Sequence, residues 1–233
     1  MIAENSTQFI NILSEIIKPP YEILNKLTKY QYQFLIGKEP TESETKEEPP
    51  RELDEKAEII PIDEYLGRYE PKMRKITIFD KGIDNASRII RCDPKYLKYI
   101  VRLHEWSHAL IHIGLGENDR LKALDEDSYW EECLKQSNQI YVSIEAKLHE
   151  HLAQLLTYHS LNLLREDAKH KEAKEVINRI IETFLELNTR QPSEYVVDDY
   201  LGVPQDRVIQ SVGMLKKVWL KGVFDAWNII MKW

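Results

Sequence analysis

Apolar residues recur at helical spacing from the first residues of the chain. Phe9, Ile10, Ile12, Leu13, Ile16 and Ile17 form one stripe, Pro19-Pro20 interrupts it, and Tyr21 to Leu35 resumes it. This predicts two helices with a kink or turn between them. From Gly37 to Lys56 apolar residues almost vanish, and the stretch is acidic and rich in proline. Such a segment cannot offset its ordering entropy and reads as a linker or mobile loop. The apolar pattern restarts at Ile59. Lys75–Phe79 alternates and is β-branched, so it is the best strand candidate, with a second short strand expected near Ile59–Ile62 or Arg88–Arg91. Asp93-Pro94 then opens a long helix, with Asp93 at the N-cap and Pro94 at the first helical position, running to Gly114. The polar stretch 115–136 suggests a further helix, and others are expected over Gln139–Leu164 and Ala168–Leu187. Gln191-Pro192, Gly202 and Pro204 break the chain before a last helix from Gln205 toward Trp233.

The expected architecture is α+β: mostly helical, with a small sheet preceding the helix that starts at Asp93. Four regions follow from the same pattern: an N-terminal helical segment (1–36), an acidic linker (37–57), a core (58–165), and a C-terminal helical region packed on that core (166–233).

Composition narrows the class. The 233 residues, 42% of them hydrophobic, suffice for one sizeable core, and 30% charged residues with only 8 glycines favour helices over a sandwich or barrel. A net charge of −7 argues against general nucleic-acid binding, which needs a basic face to replace counterions. The two cysteines, Cys92 and Cys133, lack a Cys or His partner at ligand spacing and read as thiols of a reducing compartment. The first 18 residues do not have the layout of a signal peptide, and no run of about 18 apolar residues occurs. The expected address is the cytoplasm.

The chemistry concentrates in His104-Glu105-Trp106-Ser107-His108. Residues four apart on a helix lie one above the other, so His104 and His108 can grip one Zn²⁺ at about 2.0–2.1 Å each. Glu105, about 100° round the helix, can reach a water on the open side of the metal and act as general base. The motif is flanked by Ile100, Val101 and Leu103 before it and by Ala109, Leu110 and Ile111 after it. Imidazoles and a carboxylate in such a setting need a compensating partner. His112 lies about 6 Å further along the axis and reads as a packing or supporting residue. A catalytic zinc needs a third protein ligand. The metzincin pattern is excluded, because Ile111 and Gly114 stand at its downstream Gly and His positions. The candidates lie on the later helix: Glu145, Glu150 and His151.

The segment Leu148-His149-Glu150-His151-Leu152-Ala153 resembles the glutamate-helix motif of gluzincin metallopeptidases, in which a Glu followed by two residues and Ala supplies the third ligand. Together with the His-Glu-Trp-Ser-His motif and the strand before it, the chain looks like a small, minimal gluzincin over roughly residues 59–160. The resemblance implies His104, His108 and Glu150 as ligands of Zn²⁺, Glu105 as general base, and a peptide or protein substrate. It further implies an edge strand beside the cleft, for which Lys75–Phe79 is the candidate. Tyr158 or His159 would stabilise an oxyanion, and Gln154, one turn after Glu150, would orient a ligating imidazole. His170 reads as part of a solvated face.

Two other functions compete with a zinc peptidase. Asp199 to Val208 reads as a turn between helices, and Arg207, Lys216, Lys217 and Lys221 follow it, as in half of a helix-turn-helix of a DNA-linked regulator. The C-terminal helix carries Val218, Trp219, Val223, Phe224, Trp227, Ile229, Ile230 and Trp233, a composition suited to a homo-oligomer interface or to core closure.

Overall fold

The computed structural model describes residues 18–48, 65–193 and 195–221. The expected helix over residues 7–17 and the strand near Ile59–Ile62 lie outside these. In chain order the described elements are α1 (Pro20–Leu27), β1 (Tyr32–Gln33), β2 (Thr41–Thr45), β3 (Gly67–Glu70), β4 (Lys75–Phe79) and α2 (Asp80–Ile90). They continue with α3 (Pro94–Ile113), β5 (Leu115–Gly116), α4 (Glu117–Asp125), α5 (Asp127–Ser143), α6 (Ala146–Asp167), α7 (Lys171–Asn188), a single 3₁₀ turn at Asp198–Tyr200, and α8 (Gln205–Lys221). The chain is mostly helical with small sheets, an α+β arrangement. Among the described residues no helix is long and apolar enough to cross a membrane.

Helix α3 is the axis of the fold. Asp93 caps it by accepting from the Lys95 N–H at 2.8 Å, Pro94 occupies the first turn, and Gly114 ends it. From Leu103 to Ile113 every residue of α3 is buried, as expected of a helix surrounded by packing partners. Those partners are α1, α2, α5, α6, α7 and α8, with β3 and β4 along one side. Leu97, Ile100, Leu103 and Leu110 of α3 join Ile76 and Ile78 of β4, Leu156 of α6 and Phe184 of α7 in one core.

The three-stranded sheet has the order β2-β4-β3. Strand β4 forms where the alternating pattern predicts it, but it is the central strand, not the edge. Strand β3 pairs with it antiparallel, Gly67 opposite Ile78 and Tyr69 opposite Ile76. Strand β2 pairs with it parallel, Thr41 opposite Lys75 and Thr45 opposite Phe79. Part of the acidic stretch expected to be a linker is therefore strand. The reason lies in its partners: Glu42 accepts from the Arg102 guanidinium at 2.6 Å and from the Trp106 indole at 2.7 Å, both on α3. Its carboxylates meet cations and an indole donor, so the strand does not depend on apolar burial.

Other boundaries also differ. The helix expected over Tyr21–Leu35 stops at Leu27, and β1 then pairs with β5. Arg88–Arg91 belongs to the end of α2 and its C-cap, not to a strand. The helix expected over Gln139–Leu164 is two helices, broken at Ile144 and Glu145 in extended conformation. Cys92 and Cys133 are unpaired thiols, each half-buried.

Candidate metal centre

One turn of α3 and the first turns of α6 meet at a single point. His104 Nε2 and His108 Nε2 lie 3.0 Å apart, and Glu150 Oε2 lies 3.1 Å from the first and 3.0 Å from the second. Both imidazoles are buried, and the carboxylate is nearly so. This triad is the one group of three or more ligand-type side chains gathered closely enough for a metal ion among the described residues. Three donors at about 2.0–2.1 Å from a tetrahedral ion sit about 3.3–3.4 Å apart, so the triangle accepts such an ion by opening a few tenths of an ångström. Hydrogen bonding satisfies the cluster less well. If both imidazoles donate to Glu150 Oε2, their N–H groups face each other across 3.0 Å.

The electrostatics are those of a tight cationic–anionic cluster. Burial pushes the Glu150 carboxyl up, but the two imidazoles outweigh it and hold Glu150 well below the usual carboxylate range. Burial works against charge on His108, yet Glu150 outweighs it and holds the imidazole above its ordinary value. The lowered carboxyl of Glu150 suits a cation-binding site, whereas His108 must give up its proton before it can ligate.

Glu105 stands beside the triad without joining it. Burial raises its carboxyl, against the pull of His104 and His108 and of a hydrogen bond from the Tyr69 backbone N–H. It is close to β3: a Cβ placed on Gly67 would sit 2.8 Å from Glu105 Oε1 and 2.6 Å from Val101 Cγ1. Only glycine permits that approach. The Leu66 carbonyl accepts from Phe79 N, so Leu66 and Arg68 turn their backbone groups to β4 while Gly67 and Tyr69 turn theirs outward, toward the cleft. The cleft runs along this edge, with His149, Tyr141, Tyr195 and Pro192 among its walls.

The other expected residues are dispersed. Tyr158, expected to be catalytic, is two turns beyond Glu150 on α6, about 12 Å along the axis. It stacks on Phe184 and touches His159, outside the cleft. Glu145 is exposed at the start of α6, and His151 turns toward Tyr200, so neither joins the triad. Gln154 lines the cleft but donates to Gln191 Oε1 at 3.0 Å and orients no imidazole. His112 is buried one turn beyond His108, its Nδ1 2.9 Å from Tyr69 Oη, and His170 is exposed at the start of α7. Lys216, grouped by sequence with a basic surface, is buried and donates to the Ile111 carbonyl at 2.9 Å. The side chains of Lys217 to Trp219 and Lys221, and residues Val223 to Trp233, lie outside the described part.

Sequence reasoning missed Tyr141, whose hydroxyl lies 3.0 Å from His108 Nδ1, and the cleft residues His149 and Tyr195. A signal for Tyr141 exists. Ile140-Tyr141-Val142-Ser143-Ile144 is rich in β-branched residues that weaken a helix, and a break there places Tyr141 and Glu150 on separate elements. No protein-family model matches the chain. No curated protein matches it, and no solved structure does.

Proposed function

We propose that this protein is a zinc-dependent hydrolase acting on peptide bonds, a minimal relative of the gluzincins with a zincin-like core. The observation that carries the reading is the convergence of His104, His108 and Glu150 on one point beside a second carboxylate, Glu105, that does not converge with them. Two imidazoles and one carboxylate suit Zn²⁺ and leave its fourth position open. Zinc so held supplies Lewis acidity toward a carbonyl and lowers the pKa of water toward neutrality.

The chain's own residues do the rest. Glu105, a buried carboxylate with a raised affinity for protons, is poised to take a proton and to return it to a leaving amine. The outward backbone groups of Gly67 and the outward carbonyl of Tyr69 offer an edge on which an extended peptide adds as a strand, the Tyr69 N–H being held by Glu105. His149 is a neutral imidazole, lowered to about 4 by burial first and then by His108, and it can donate a hydrogen bond from the cleft wall.

The test is metal analysis and chelator-sensitive peptide hydrolysis on the full-length protein. Glu105→Gln is expected to retain one zinc and lose turnover, whereas His108→Ala and Glu150→Ala lose both. Purified wild-type protein that takes up no zinc, or a Glu105→Gln variant as active as wild type, overturns the reading.

A further inference from the structure

We infer that Tyr141 is the positioning residue of the metal centre: it holds His108 by accepting a hydrogen bond from Nδ1–H and so fixes which nitrogen faces the ion. The inference rests on the metal reading above. Its geometry is independent of Glu105 and of any substrate.

A ligating imidazole must turn a lone pair to the metal, and its proton then sits on the other nitrogen. In His108 the nitrogen that joins the triad is Nε2, 3.0 Å from both His104 Nε2 and Glu150 Oε2. The proton therefore belongs on Nδ1, and the atom facing Nδ1 at 3.0 Å is Tyr141 Oη. A phenol can accept there as well as donate. A tyrosine hydroxyl is neutral near pH 7, so the acceptor adds no charge to the centre.

Tyr141 is itself held on several sides. Its ring stacks on His149, with centroids 4.9 Å apart and planes 24° apart, stands edge-on to Tyr69 at 6.2 Å, and packs against His112 at 4.9 Å. A side chain fixed by neighbours from α3, α6 and β3 loses little freedom when it fixes another. The two ligating histidines differ in this respect. His104 Nδ1 is buried and has no hydrogen-bond partner among the described residues, so the orienting hydrogen bond falls on His108 alone. Tyr141 precedes the break at Ile144 and Glu150 follows it, so α5 and α6 approach His108 at its two nitrogens.

The experiment uses full-length protein stripped of metal and titrated with Zn²⁺ against a chromophoric chelator. Tyr141→Phe keeps the ring and removes only the hydroxyl, and is expected to weaken zinc binding by about 10–100-fold. Tyr141→Gln, which restores an acceptor oxygen, recovers part of that loss. Nitrogen-15 spectra of the zinc-loaded wild type are expected to show His108 protonated at Nδ1 and slow to exchange with solvent, a signature that Tyr141→Phe loses. This readout on the wild type does not depend on the variant's folding. Zinc binding by Tyr141→Phe within threefold of wild type, or a zinc-loaded wild type whose His108 Nδ1–H exchanges freely, overturns the inference and leaves the metal centre standing. A wild type that binds no zinc removes the metal centre itself.

Discussion

Gly67 on β3 and Glu105 on α3 occupy one another's space: a methyl group on the first would lie 2.8 Å from both Cγ and Oε1 of the second. Gly67→Ala therefore forces apart the strand and the helix that flank the cleft, with Val101 Cγ1 as a further obstacle at 2.6 Å. Overpacking of this kind costs about 1–3 kcal/mol. Thermal denaturation of the metal-free variant is expected to show a midpoint lower by roughly 2–4 °C per kcal/mol for a chain of this size. Hydrolysis is expected to fall more than stability does, because the displaced group is the proposed base. An unchanged midpoint would show that β3 yields without cost.

Glu42 ties the acidic stretch to the back of the same helix. Glu42→Gln keeps the shape and removes the charge from two hydrogen bonds, to Arg102 at 2.6 Å and to Trp106 at 2.7 Å. Hydrogen bonds to charged groups contribute about 1.5–3 kcal/mol each, and partial exposure of both Arg102 and Glu42 discounts the ion pair. The expected net loss is about 1–2 kcal/mol in urea unfolding, with faster exchange of the β2 backbone amides. Equal amide protection in variant and wild type would argue against this anchoring.

His112 makes the fold sensitive to acid. Burial first, then Lys216 and Arg74, lowers its imidazole from 6.5 to about 3. Below pH 6.5 the unfolded chain takes up a proton that the folded chain refuses. Stability is thus complete above pH 6.5 and falls as pH drops toward 3, by up to about 1.4 kcal/mol per pH unit from this group. His112→Gln is expected to flatten the stability profile between pH 6.5 and 4.5, above the range where Glu150 titrates. Parallel profiles for variant and wild type would contradict this assignment.

Tyr158 supplies a negative control. Its ring stacks on Phe184 in the α6–α7 contact, away from the cleft. Tyr158→Phe is expected to leave zinc content and hydrolysis within about twofold of wild type, since it deletes one hydroxyl on a partly exposed ring. A loss of tenfold or more in hydrolysis would return Tyr158 to the reaction.

The legible parts of the chain were those governed by local rules. The His104–His108 spacing, the Asp93 cap, the Gly114 stop and the alternation of Lys75–Phe79 each depend on neighbours a few residues away, and each is found in the structure. Glu150 was legible only through its motif, since nothing local to α6 distinguishes a ligand from an ordinary helix carboxylate. The illegible parts were decided at long range. Strand β2 exists because Arg102 and Trp106 wait for Glu42, and an acidic polar segment shows no sign of such partners. Tyr141 was hidden because a continuous helix through Ile144 would carry it away from His108. Tyr158 was named only through the resemblance, which implies a Tyr or His near the centre, and the rise of α6 takes it past the site.

The parallel pairing of β2 with β4 bears on how the molecule is made. Glu42 is separated from Arg102 and Trp106 by 60 and 64 residues, and the contact with β4 is likewise non-local. Pairings of that span are intrinsically slow to form, because a long loop must close before the contact rewards it. Until that closure the indole and guanidinium of the central helix are without their Glu42 partner, and unpaired surface of this kind is where misassembly begins.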